Sequence, residues 1–457
     1  MSSAAVRSFA EAFAGEVVLP GDGGYDAARA VWNGMIDRRP ALVARPDDTA
    51  GVVDALRFAR EQELVVSVRG GGHSIPGFST CDDGIVIDLS RLRGVTVDPE
   101  RRTATCRGGA HLGELDQAAQ EAGLVCPVGV VGHTGVAGLT LGGGMGRLQR
   151  KHGLTLDNLL AVELVTADGS LVRASEDEHP DLFWGLRGAG ANFGIATSFE
   201  LRLHPLEGTV THGAVIHPLD RVRELAALFH ETIENGPDEL WAGFGLWRGE
   251  AEDGPELEGR PVAALTALHC GSLEQAVRDL AEVKAFGPPA AGSIEPKSYL
   301  AVQGMNDEPM AWGHRFYMKS AFVPALSGEL VDLLAGHAAD LPAGVDGSIT
   351  AWACGRAIAT VPEEATAYSG REAELWISAE ILWDDSALDD ECRAWARAVL
   401  ADVEPYAVTG RYVNDVVETG EDVTRSVYGD AKWERLVALK RAWDPDNVFR
   451  LNQNVRP

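Results

Sequence analysis

Three consecutive glycines follow a β-branched strand and are followed in turn by a single histidine. Residues 68–77 read Val-Arg-Gly-Gly-Gly-His-Ser-Ile-Pro-Gly. Glycines lack Cβ atoms, so the backbone N–H groups of such a turn can approach and surround an anion such as a pyrophosphate. The run therefore predicts a phosphate-bearing ligand beside His73. The alternative is a tight connection between strands in which His73 is an ordinary surface or core residue.

Two further glycine-rich segments, at 132–146 and 185–197, accompany the first. One such segment is weak support for a ligand, but several in one chain favour a shared binding region. The 52 glycines are confined to discrete turns and form no repeat, which excludes collagen-like or low-complexity structure. We expect the three segments to face one site.

Length and charge restrict the class of protein. At 457 residues, of which 45% are apolar, the chain exceeds the size of one hydrophobic core, and two domains are expected. The net charge of −28 argues against nucleic-acid and anionic-membrane partners. Residues 1–11 lack the basic and apolar regions of a secretory signal, and no apolar run is long enough to span a membrane. A cytoplasmic protein is expected.

The six cysteines include no Cys-x-x-Cys pair and no spacing typical of a metal site. Five of them are therefore interpreted as small buried hydrophobic residues, and no metal ion is expected. Cys126 differs from the others only in position, because Cys126-Pro127 comes shortly before the second glycine-rich segment.

Strands and helices alternate over the first 200 residues. A predicted strand at 64–68 leads directly into the turn that carries His73, after a predicted helix at 52–60. Farther along, an Asp-Gly pair predicts a hairpin, because this dipeptide favours the tight turn between strands at 160–166 and 171–174.

Residues 209–405 differ from this first part. They contain longer helical stretches, several tryptophans and predicted strands at 260–269, 316–322 and 374–383. This pattern predicts a second, α+β domain. The chain ends with a predicted helix at 431–441 that is stopped by an Asp-Pro-Asp-Asn turn.

Four segments of the chain together resemble the FAD-linked oxidases of the vanillyl-alcohol oxidase superfamily, which share a PCMH-type FAD-binding domain. The resemblance is to the berberine-bridge-enzyme-like branch that includes the 6-hydroxynicotine-oxidase-like proteins, and it covers nearly the whole chain. Its most specific parts are residues 69–74, 133–146, 187–197 and 443–454.

This resemblance implies an α+β fold with a two-part FAD-binding domain and a central substrate domain. The FAD-binding domain is expected to combine residues 1–206 with the C-terminal residues 410–457. Residues 207–409 are expected to form the α+β substrate domain around an antiparallel sheet.

The resemblance also implies that FAD is bound covalently. His73 is expected to bond to the 8α-methyl carbon of the isoalloxazine ring, beside a backbone that holds the pyrophosphate. Cys126 looks like the second attachment point of doubly linked relatives, but the count of residues to His133 is one shorter here, so this second bond is left open. The other residues that the resemblance assigns to FAD binding are Arg69, Gly70, Gly71, Gly72, Ser74, Gly77, Val128, His133, Thr134, Gly135, Gly138, Gly142, Gly143, Gly144, Asn158, Gly194, Ile195, Asn452 and Asn454.

Val128 falls where the family places a residue that controls the access of dioxygen to flavin C4a. A small aliphatic side chain at that position allows access and a leucine blocks it, so Val128 favours an oxidase over a dehydrogenase. This inference depends on counting back from His133, across the same spacing that is one residue shorter than in the doubly linked relatives. The product expected from dioxygen is hydrogen peroxide.

The catalytic base is expected near the start of the returning C-terminal segment. Many relatives carry Tyr-x-Asn-Tyr there, and the second tyrosine helps to remove the substrate proton. This chain has Tyr412-Val413-Asn414-Asp415, which puts a carboxyl group at the position of that tyrosine. Asp415 can act as the base if burial raises its pKa, with Tyr412 beside it. The alternative is that Asp415 is a solvated acid on a loop.

A second set of candidates lies on the strand predicted at 374–383. Alternation places on one face the side chains of Trp376, Ser378 and Glu380. Relatives have such a strand above the flavin, so Trp376 is a candidate aromatic platform and Glu380 a candidate base. Tyr317 and Lys319 on the preceding predicted strand are considered with them. The alternative is that these are ordinary residues of a half-buried sheet.

The substrate is the least determined feature. The tryptophans of residues 209–405 suit a ring-shaped substrate, either a sugar or an aromatic molecule, and oxidation of an alcohol or amine carbon is expected. The predicted partners are this small molecule and dioxygen, for a monomer or homodimer. Two rival functions stay open. One is a flavin-dependent dehydrogenase or reductase of the same fold that draws electrons from NADPH, and the other is a flavin or carbohydrate binder without catalysis.

Overall fold

The computed structural model describes residues 3–457, so Met1 and Ser2 of the N-terminal stretch lie outside the described residues. Its strands, in chain order, are β1 (Gly15–Val18), β2 (Leu42–Pro46), β3 (Val66–Arg69), β4 (Ile85–Asp88), β5 (Val95–Asp98), β6 (Thr103–Arg107), β7 (Leu124–Val125), β8 (Leu159–Val165), β9 (Leu171–Ser175), β10 (Ile195–Arg202), β11 (His204–Pro205), β12 (Thr209–Pro218), β13 (Leu240–Arg248), β14 (Pro261–His269), β15 (Ile294–Ser298), β16 (Arg315–Val323), β17 (Asp346–Ala353) and β18 (Leu375–Trp383). Its α-helices are α1 (Ser3–Ala12), α2 (Tyr25–Arg29), α3 (Thr49–Glu61), α4 (Leu112–Glu121), α5 (Val136–Gly142), α6 (Gln149–His152), α7 (Pro180–Ala189), α8 (Val222–Asn235), α9 (Leu273–Asp279), α10 (Ala281–Ala285), α11 (Tyr299–Gln303), α12 (Gly328–Ala339), α13 (Ala357–Thr360), α14 (Asp389–Val403), α15 (Glu421–Tyr428) and α16 (Asp430–Trp443).

The strand that leads to His73 belongs to a small mixed sheet with the order β1-β2-β4-β3. β2, β4 and β3 run parallel, and β1 is antiparallel at one edge. Every residue of β4 is buried, as is typical of a parallel strand covered on both faces. Helix α3 joins β2 to β3 and begins after Asp48, whose carboxylate accepts a hydrogen bond from Gly51 N at 2.8 Å. The predicted helix at 52–60 and strand at 64–68 are confirmed, with bounds that differ by at most three residues.

A five-stranded antiparallel sheet follows, with the order β5-β6-β10-β8-β9. The predicted hairpin is confirmed, since β8 pairs with β9 in a register that places Val165 opposite Leu171. Gly169 in its turn has φ +87°, which glycine adopts without strain. β10 begins at Ile195, four residues before the predicted strand, because the third glycine-rich segment ends inside the strand.

The largest sheet is antiparallel and has the order β15-β12-β14-β13-β17-β18-β16. Helices α8, α12 and α14 cover one of its faces and form a large apolar core with it. Its other face carries Trp241, Trp352 and Trp376, which stack edge to face with ring centroids 5.2 and 5.3 Å apart. The antiparallel sheet expected for the middle of the chain is confirmed, while β12, β13, β17, α12 and α14 are additional to the predicted elements.

The C-terminal residues pack against the N-terminal part of the chain. The fully buried ammonium group of Lys440 donates hydrogen bonds to Asp444 at 2.7 Å and to the carbonyl oxygens of Asn192 and Phe449 at 2.9 and 2.8 Å. Asn192 belongs to the third glycine-rich segment. The turn after α16 therefore anchors the tail beside that segment.

All six cysteines are buried thiols, as their scattered spacing predicts. No helix within residues 3–457 has the length and apolar character needed to cross a lipid bilayer. The same residues contain no group of three or more His, Cys, Asp or Glu side chains arranged to hold a metal ion.

Candidate active site

A cavity of about 470 Å³ lies between the glycine-rich segments and the tryptophan-bearing face of the seven-stranded sheet. One wall is formed by the loop after β3, by residues within 129–142 and 188–196, and by part of the C-terminal tail. The opposite wall is formed by side chains of β16, β17 and β18 together with residues 412–415. The three glycine-rich segments thus meet at one place, as we expected from the sequence.

The structure brings many, but not all, of the predicted site residues to this cavity. All four catalytic candidates line it: Trp376, Glu380, Tyr412 and Asp415. The predicted cofactor residues on its wall are Gly70, Gly71, Gly72, His73, Ser74, Thr134, Gly135, Gly138, Gly142, Gly194 and Asn452. The predicted residues that do not form the wall are Arg69, Gly77, Cys126, Val128, His133, Gly143, Gly144, Asn158, Ile195 and Asn454.

The first and second glycine-rich segments touch each other through their backbones. A Cβ on Gly71 would overlap the amide nitrogen of Gly135, and a Cβ on Gly135 would overlap the amide nitrogen of Gly71. Gly72 has φ +73°, which disfavours any other residue. Gly138 differs, because no atom lies within 4 Å of its Cβ position, and it faces the cavity. The glycines therefore serve both the packing of the two loops and an open backbone surface.

Replacing Gly71 by alanine is expected to separate the two loops, because the new methyl group meets backbone that cannot rotate away. Overpacking of this kind costs about 1–3 kcal/mol, and we expect the flavin content of the purified variant to fall at least fivefold. The measurement is visible flavin absorbance per protein chain. Gly336→Ala is the matched control, since nothing lies within 4 Å of that Cβ position on α12. Unchanged flavin content in the Gly71 variant would contradict the loop contact.

Unpartnered polar atoms on the cavity wall indicate a polar ligand. The Ser79 hydroxyl and the side-chain oxygen of Asn452 are buried and have no hydrogen-bond partner within residues 3–457, although both residues line the cavity. Buried polar atoms are rarely left without a partner in folded proteins. These atoms and the open backbone beside Gly138 fit a dinucleotide such as FAD.

His73 is held between two aromatic rings and a second histidine. Its ring stacks on Trp32 with centroids 4.8 Å apart and an interplanar angle of 17°, and the edge of Trp312 lies 6.2 Å away. Its Nε2 lies 2.7 Å from Nδ1 of His133. Burial, with smaller contributions from His133 and His111, lowers the pKa of His73 to about 3. The imidazole is therefore uncharged at neutral pH.

The hydrogen-bond partners determine which nitrogen of His73 is free. His133 Nε2 lies 3.2 Å from the carbonyl oxygen of Asp307 and must donate to it, since a carbonyl only accepts. With one proton on each ring, His133 accepts at Nδ1 and His73 donates to it through Nε2. Nδ1 of His73 therefore keeps its lone pair, and it has no partner within residues 3–457. This nitrogen is the nucleophilic atom of the site.

Asp415 and Glu380 place two carboxyl groups on the opposite wall, where Asp415 is buried and Glu380 is half-buried. Asp415 Oδ2 accepts hydrogen bonds from Ser320 Oγ at 3.1 Å and from Trp376 Nε1 at 3.0 Å, and the residue is 8% exposed. Glu380 Oε1 accepts from Ser378 Oγ at 2.6 Å. Burial raises the pKa of both carboxyl groups, and the proximity of Glu380 raises that of Asp415 further, well above its usual range. The interpretation of Asp415 as a solvated loop acid is wrong.

Tyr412 is fixed by hydrogen bonds to the second glycine-rich segment. Its hydroxyl oxygen accepts from Gly144 N at 3.1 Å, from Met145 N at 3.3 Å and from Asn414 Nδ2 at 3.1 Å. Burial nevertheless raises the pKa of Tyr412 to about 12, so the hydroxyl keeps its proton at neutral pH. Tyr412 therefore joins the Asp415 turn to the glycine-rich segment, and Asp415 is the better candidate for the base.

The register of the sheet decides between the candidates on β16 and β18. Glu380 lies opposite Met318, and Ser378 lies opposite Ser320, so these side chains share the cavity face. Tyr317 and Lys319 point to the helix-covered face, where both contact Glu418. They are therefore excluded as bases, whereas the face predicted for Trp376, Ser378 and Glu380 is confirmed.

Three predicted cofactor residues do not line the cavity and have side chains that contact other parts of the protein. The buried guanidinium of Arg69 donates to the carbonyl oxygen of Ala28 at 2.6 Å and lies 3.7 Å from Asp88. Asn158 donates to two carbonyl oxygens of the 152–154 turn at 2.9 Å. Ile195 is fully buried in the core as the first residue of β10. Their side chains are turned into the protein, because each meets backbone or core partners there.

Four other predicted residues lie beside the cavity and shape it indirectly. Gly77 closes the turn after His73 with φ +78°. Gly143 and Gly144 also have positive φ, and a Cβ on Gly143 would meet the ring of Tyr412 at 2.7 Å. The side-chain oxygen of Asn454 is buried without a partner among the described residues, and Asn454 does not line the cavity.

Neither Cys126 nor Val128 lines the cavity. Cys126 is fully buried in the core under the second glycine-rich segment, and burial raises its pKa well above the usual range. Val128 is 2% exposed, and its carbonyl packs against Gly146. Val130 and Val131 line the cavity instead. The lining of the cavity by this loop begins at Gly129. The second bond at Cys126, left open by the sequence, and the role of Val128 in dioxygen access stay predictions.

Several wall residues are absent from the sequence-based assignment. Trp32 stacks on His73 and donates through Nε1 to the carbonyl oxygen of Met310 at 2.7 Å. Phe316 and Met318 line the cavity from β16. Alternation along the predicted strand at 316–322 is a signal that groups Phe316, Met318 and Ser320, but no local pattern identifies Trp32 or Met310.

Comparison with known proteins identifies the family. Residues 40–175 match the FAD binding domain, and residues 411–456 match the family described as berberine and berberine like. The chain is 32% identical to (R)-6-hydroxynicotine oxidase of Paenarthrobacter nicotinovorans over 97% of each chain. The chain therefore belongs to the berberine-bridge-enzyme-like family of FAD-linked oxidoreductases, as the resemblance of its motifs implied.

Solved structures support the same assignment. The structure of 6-hydroxy-D-nicotine oxidase from Arthrobacter nicotinovorans superposes with a TM-score of 0.88, at 28% identity and 98% coverage of both chains. The glucooligosaccharide oxidase of Acremonium strictum, for which a novel flavinylation is described, gives 0.87 at 25% identity, with 99% of this chain and 98% of that one covered. The expected α+β fold of the PCMH type is confirmed, and the protein is an FAD-dependent oxidoreductase.

Proposed function

We propose that this protein is an oxidase with FAD tethered to His73, which oxidises an alcohol or amine carbon of a small ring-bearing substrate and forms hydrogen peroxide from dioxygen. The observation that carries the proposal is the placement of an uncharged imidazole and a buried carboxyl group, His73 and Asp415, on the wall of one cavity. Bound FAD supplies the hydride acceptor and passes the electrons to dioxygen. The chain supplies the tether, the base and the exclusion of water.

The glycine-rich wall is proposed to hold FAD. No lysine or arginine is among the described residues that line the cavity, so the pyrophosphate would be held by backbone N–H groups and neutral side chains such as Ser79 and Asn452. In this arrangement residues 1–206 and 410–457 bind FAD and residues 207–409 contact the substrate. A cytoplasmic location, the lack of nucleic-acid and membrane partners, and a monomeric or homodimeric state stay predictions.

His73 is proposed as the attachment point because of its free nitrogen. Attachment would replace one C–H bond of the 8α-methyl group by a bond to Nδ1, with the methyl proton released to solvent and the two electrons passed through the flavin to dioxygen. The Nε2 proton of His73 would pass to His133 Nδ1, which lies 2.7 Å away. His133 is thus a positioning residue that also takes up this proton. We propose attachment at His73 alone, because Cys126 lies in the core and not on the cavity wall. Val130 and Val131 replace Val128 as the side chains proposed to shape the access of dioxygen.

Asp415 is proposed as the base that receives the substrate's O–H or N–H proton while the adjacent carbon gives up a hydride. Its Oδ2 is occupied by Ser320 and Trp376, which leaves Oδ1 to meet the substrate. Trp376 both lines the cavity and orients this carboxyl group. The carboxyl group of Glu380 lies nearby and raises the pKa of Asp415.

The proposal is tested on the purified wild-type protein by acid precipitation and by assay of hydrogen peroxide with sugars, aromatic alcohols and amines. We expect a yellow pellet and peroxide with at least one substrate class. A colourless pellet together with NADPH-dependent activity would identify a reductase of the same fold. Retained flavin that no substrate of the panel reduces would favour a non-catalytic binder.

A further inference from the structure

Residues 303–312, here the 303–312 segment, lie in the part of the chain proposed to contact the substrate, but they bind loops of the FAD-binding part. At the start of the segment, Gln303 donates through Nε2 to the carbonyl oxygen of Gly129 at 3.0 Å. Near its end, the carbonyl oxygen of Met310 accepts from Trp32 Nε1 at 2.7 Å. The segment is therefore fixed at both ends against loops that line the cavity.

The last residue of the segment contacts His73. The ring of Trp312 meets the ring of His73 edge to face, at 90° and with centroids 6.2 Å apart. Its Cη2 lies 2.9 Å from the Cβ position of Gly72, so the absence of a side chain there allows the close approach. Because Trp312 is 45% exposed, the segment reaches from His73 to the protein surface.

Asp307, in the middle of the segment, binds residues 132 and 133 through two different atoms. Its carboxylate Oδ1 accepts from Gly132 N at 2.5 Å, and its backbone carbonyl oxygen lies 3.2 Å from His133 Nε2. A Cβ on Gly132 would lie 2.7 Å from Asp307 Oδ2, so glycine permits this contact. One residue thus fixes both the backbone before His133 and the orientation of its ring.

The contact with Asp307 determines which nitrogen of His133 carries the proton. A carbonyl oxygen only accepts, so His133 is protonated at Nε2, and its Nδ1 accepts from His73 Nε2 at 2.7 Å. In the other tautomer, His133 Nδ1 would donate to His73 Nε2, and the proton of His73 would have to lie on its own Nδ1. That nitrogen would then have no lone pair with which to attack carbon. The tautomer of His133 therefore decides whether His73 is a nucleophile.

We propose that Asp307 is a positioning residue for covalent attachment of FAD at His73, because it holds His133 in the tautomer that accepts the His73 proton; this rests on the proposed function and deepens it. Asp307 does not line the cavity. It acts through the backbone of Gly132 and the ring of His133. Attachment therefore proceeds only while the 303–312 segment is docked on these two residues.

The attachment step balances in protons and electrons, and Asp307 itself exchanges none. One C–H bond of the 8α-methyl group is replaced by a bond to His73 Nδ1, and the methyl proton goes to solvent. The Nε2 proton of His73 passes to His133 Nδ1. The two electrons pass through the flavin to dioxygen, which takes up two protons and leaves as hydrogen peroxide.

The test separates the attachment of flavin from its binding. Asp307→Ala, Asp307→Asn and the neighbouring exposed change Glu308→Ala are expressed as full chains with ample riboflavin and are purified with their flavin. Total bound flavin is measured by absorbance, and the noncovalent share is the flavin that acid precipitation releases into the supernatant. The rate of attachment is then followed by intact mass during incubation with added FAD in air.

We expect all three variants to bind as much total flavin as the wild-type protein. A wrong tautomer at a catalytic histidine costs up to about 10⁴-fold in rate, and since Asp307→Ala keeps its backbone carbonyl, we expect attachment in this variant to slow by about tenfold. Its acid-released share should rise accordingly. Asp307→Asn should attach flavin at nearly the wild-type rate, because the amide oxygen still accepts from Gly132 N, and Glu308→Ala should match the wild type.

A wild-type attachment rate in Asp307→Ala would overturn the proposal, and so would equally slow attachment in Asp307→Asn. If Asp307→Ala binds no flavin, Asp307→Ser decides by the same comparison, since its hydroxyl is one bond too short to reach Gly132 N. Absence of flavin from that variant as well would overturn the proposal, because Asp307 would then be required for binding instead of attachment. Failure of the proposed function is distinct, because acid would then release all flavin from the wild-type protein.

Discussion

Replacing His73 by alanine is expected to abolish covalent attachment of flavin. Of the described residues that line the cavity, His73 is the one imidazole, and none is a cysteine or lysine. No other strong nucleophile is therefore available to form the bond. Intact-mass spectrometry should show one FAD per chain in the wild-type protein and the bare polypeptide in His73→Ala. Peroxide formation by His73→Ala should also fall at least tenfold, because flavin that is not covalently bound dissociates and is lost during purification.

Two further variants test whether His133 and Cys126 contribute to covalent attachment of the flavin. His133→Ala should slow attachment and give a mixture of bare and flavin-bearing chains, since it removes the acceptor 2.7 Å from His73 Nε2. Cys126→Ser should retain the full mass shift, because this thiol is buried in the core. A yellow pellet from His73→Ala would place the bond elsewhere and overturn the assignment.

Local patterns in the sequence located much of this site. The glycine-rich segments, the Tyr412-to-Asp415 motif and the alternation on β18 each depend on residues close together in the chain, and the structure brings all three to one cavity. What local patterns cannot show is the contact of Gly71 with Gly135, or the pairing of Met318 with Glu380. Both depend on the approach of segments far apart in sequence.

The missed strand β13 illustrates a second physical reason. Gly243 and Gly245 interrupt its pattern, and glycine is unfavourable inside a strand. In the folded sheet the rings of Trp241 and Trp247 lie over these glycines, at 3.1 and 2.7 Å from their Cβ positions, and cover the gaps. Cys126 and Val128 illustrate a third reason: both lie in the core cluster and not on the cavity wall, and a count of residues through a loop does not show which side chains of the loop face a cavity.

Replacing Asp415 by asparagine is expected to lower kcat by about 10²–10⁴-fold, the usual contribution of a general base, while covalent flavin is retained. The amide can still accept from Ser320 and Trp376, so the turn should stay in place. The measurement combines stopped-flow reduction of the flavin by substrate with intact mass, which separates loss of chemistry from loss of cofactor. Wild-type reduction rates in this variant would exclude Asp415 as the base.

The dependence of kcat/KM on pH is an independent test of Asp415 as the base. Because burial and Glu380 raise the pKa of Asp415, the proton-accepting carboxylate is populated only as the pH rises through that raised value. The kcat/KM of the wild-type enzyme should therefore increase with pH along a limb that Asp415→Asn lacks. Glu380→Gln removes the neighbouring charge that raises the pKa of Asp415, so this limb should move to lower pH. A limb that stays at the wild-type pH in Glu380→Gln would mean that the two carboxyl groups titrate independently, and their assignment as a coupled pair would fail.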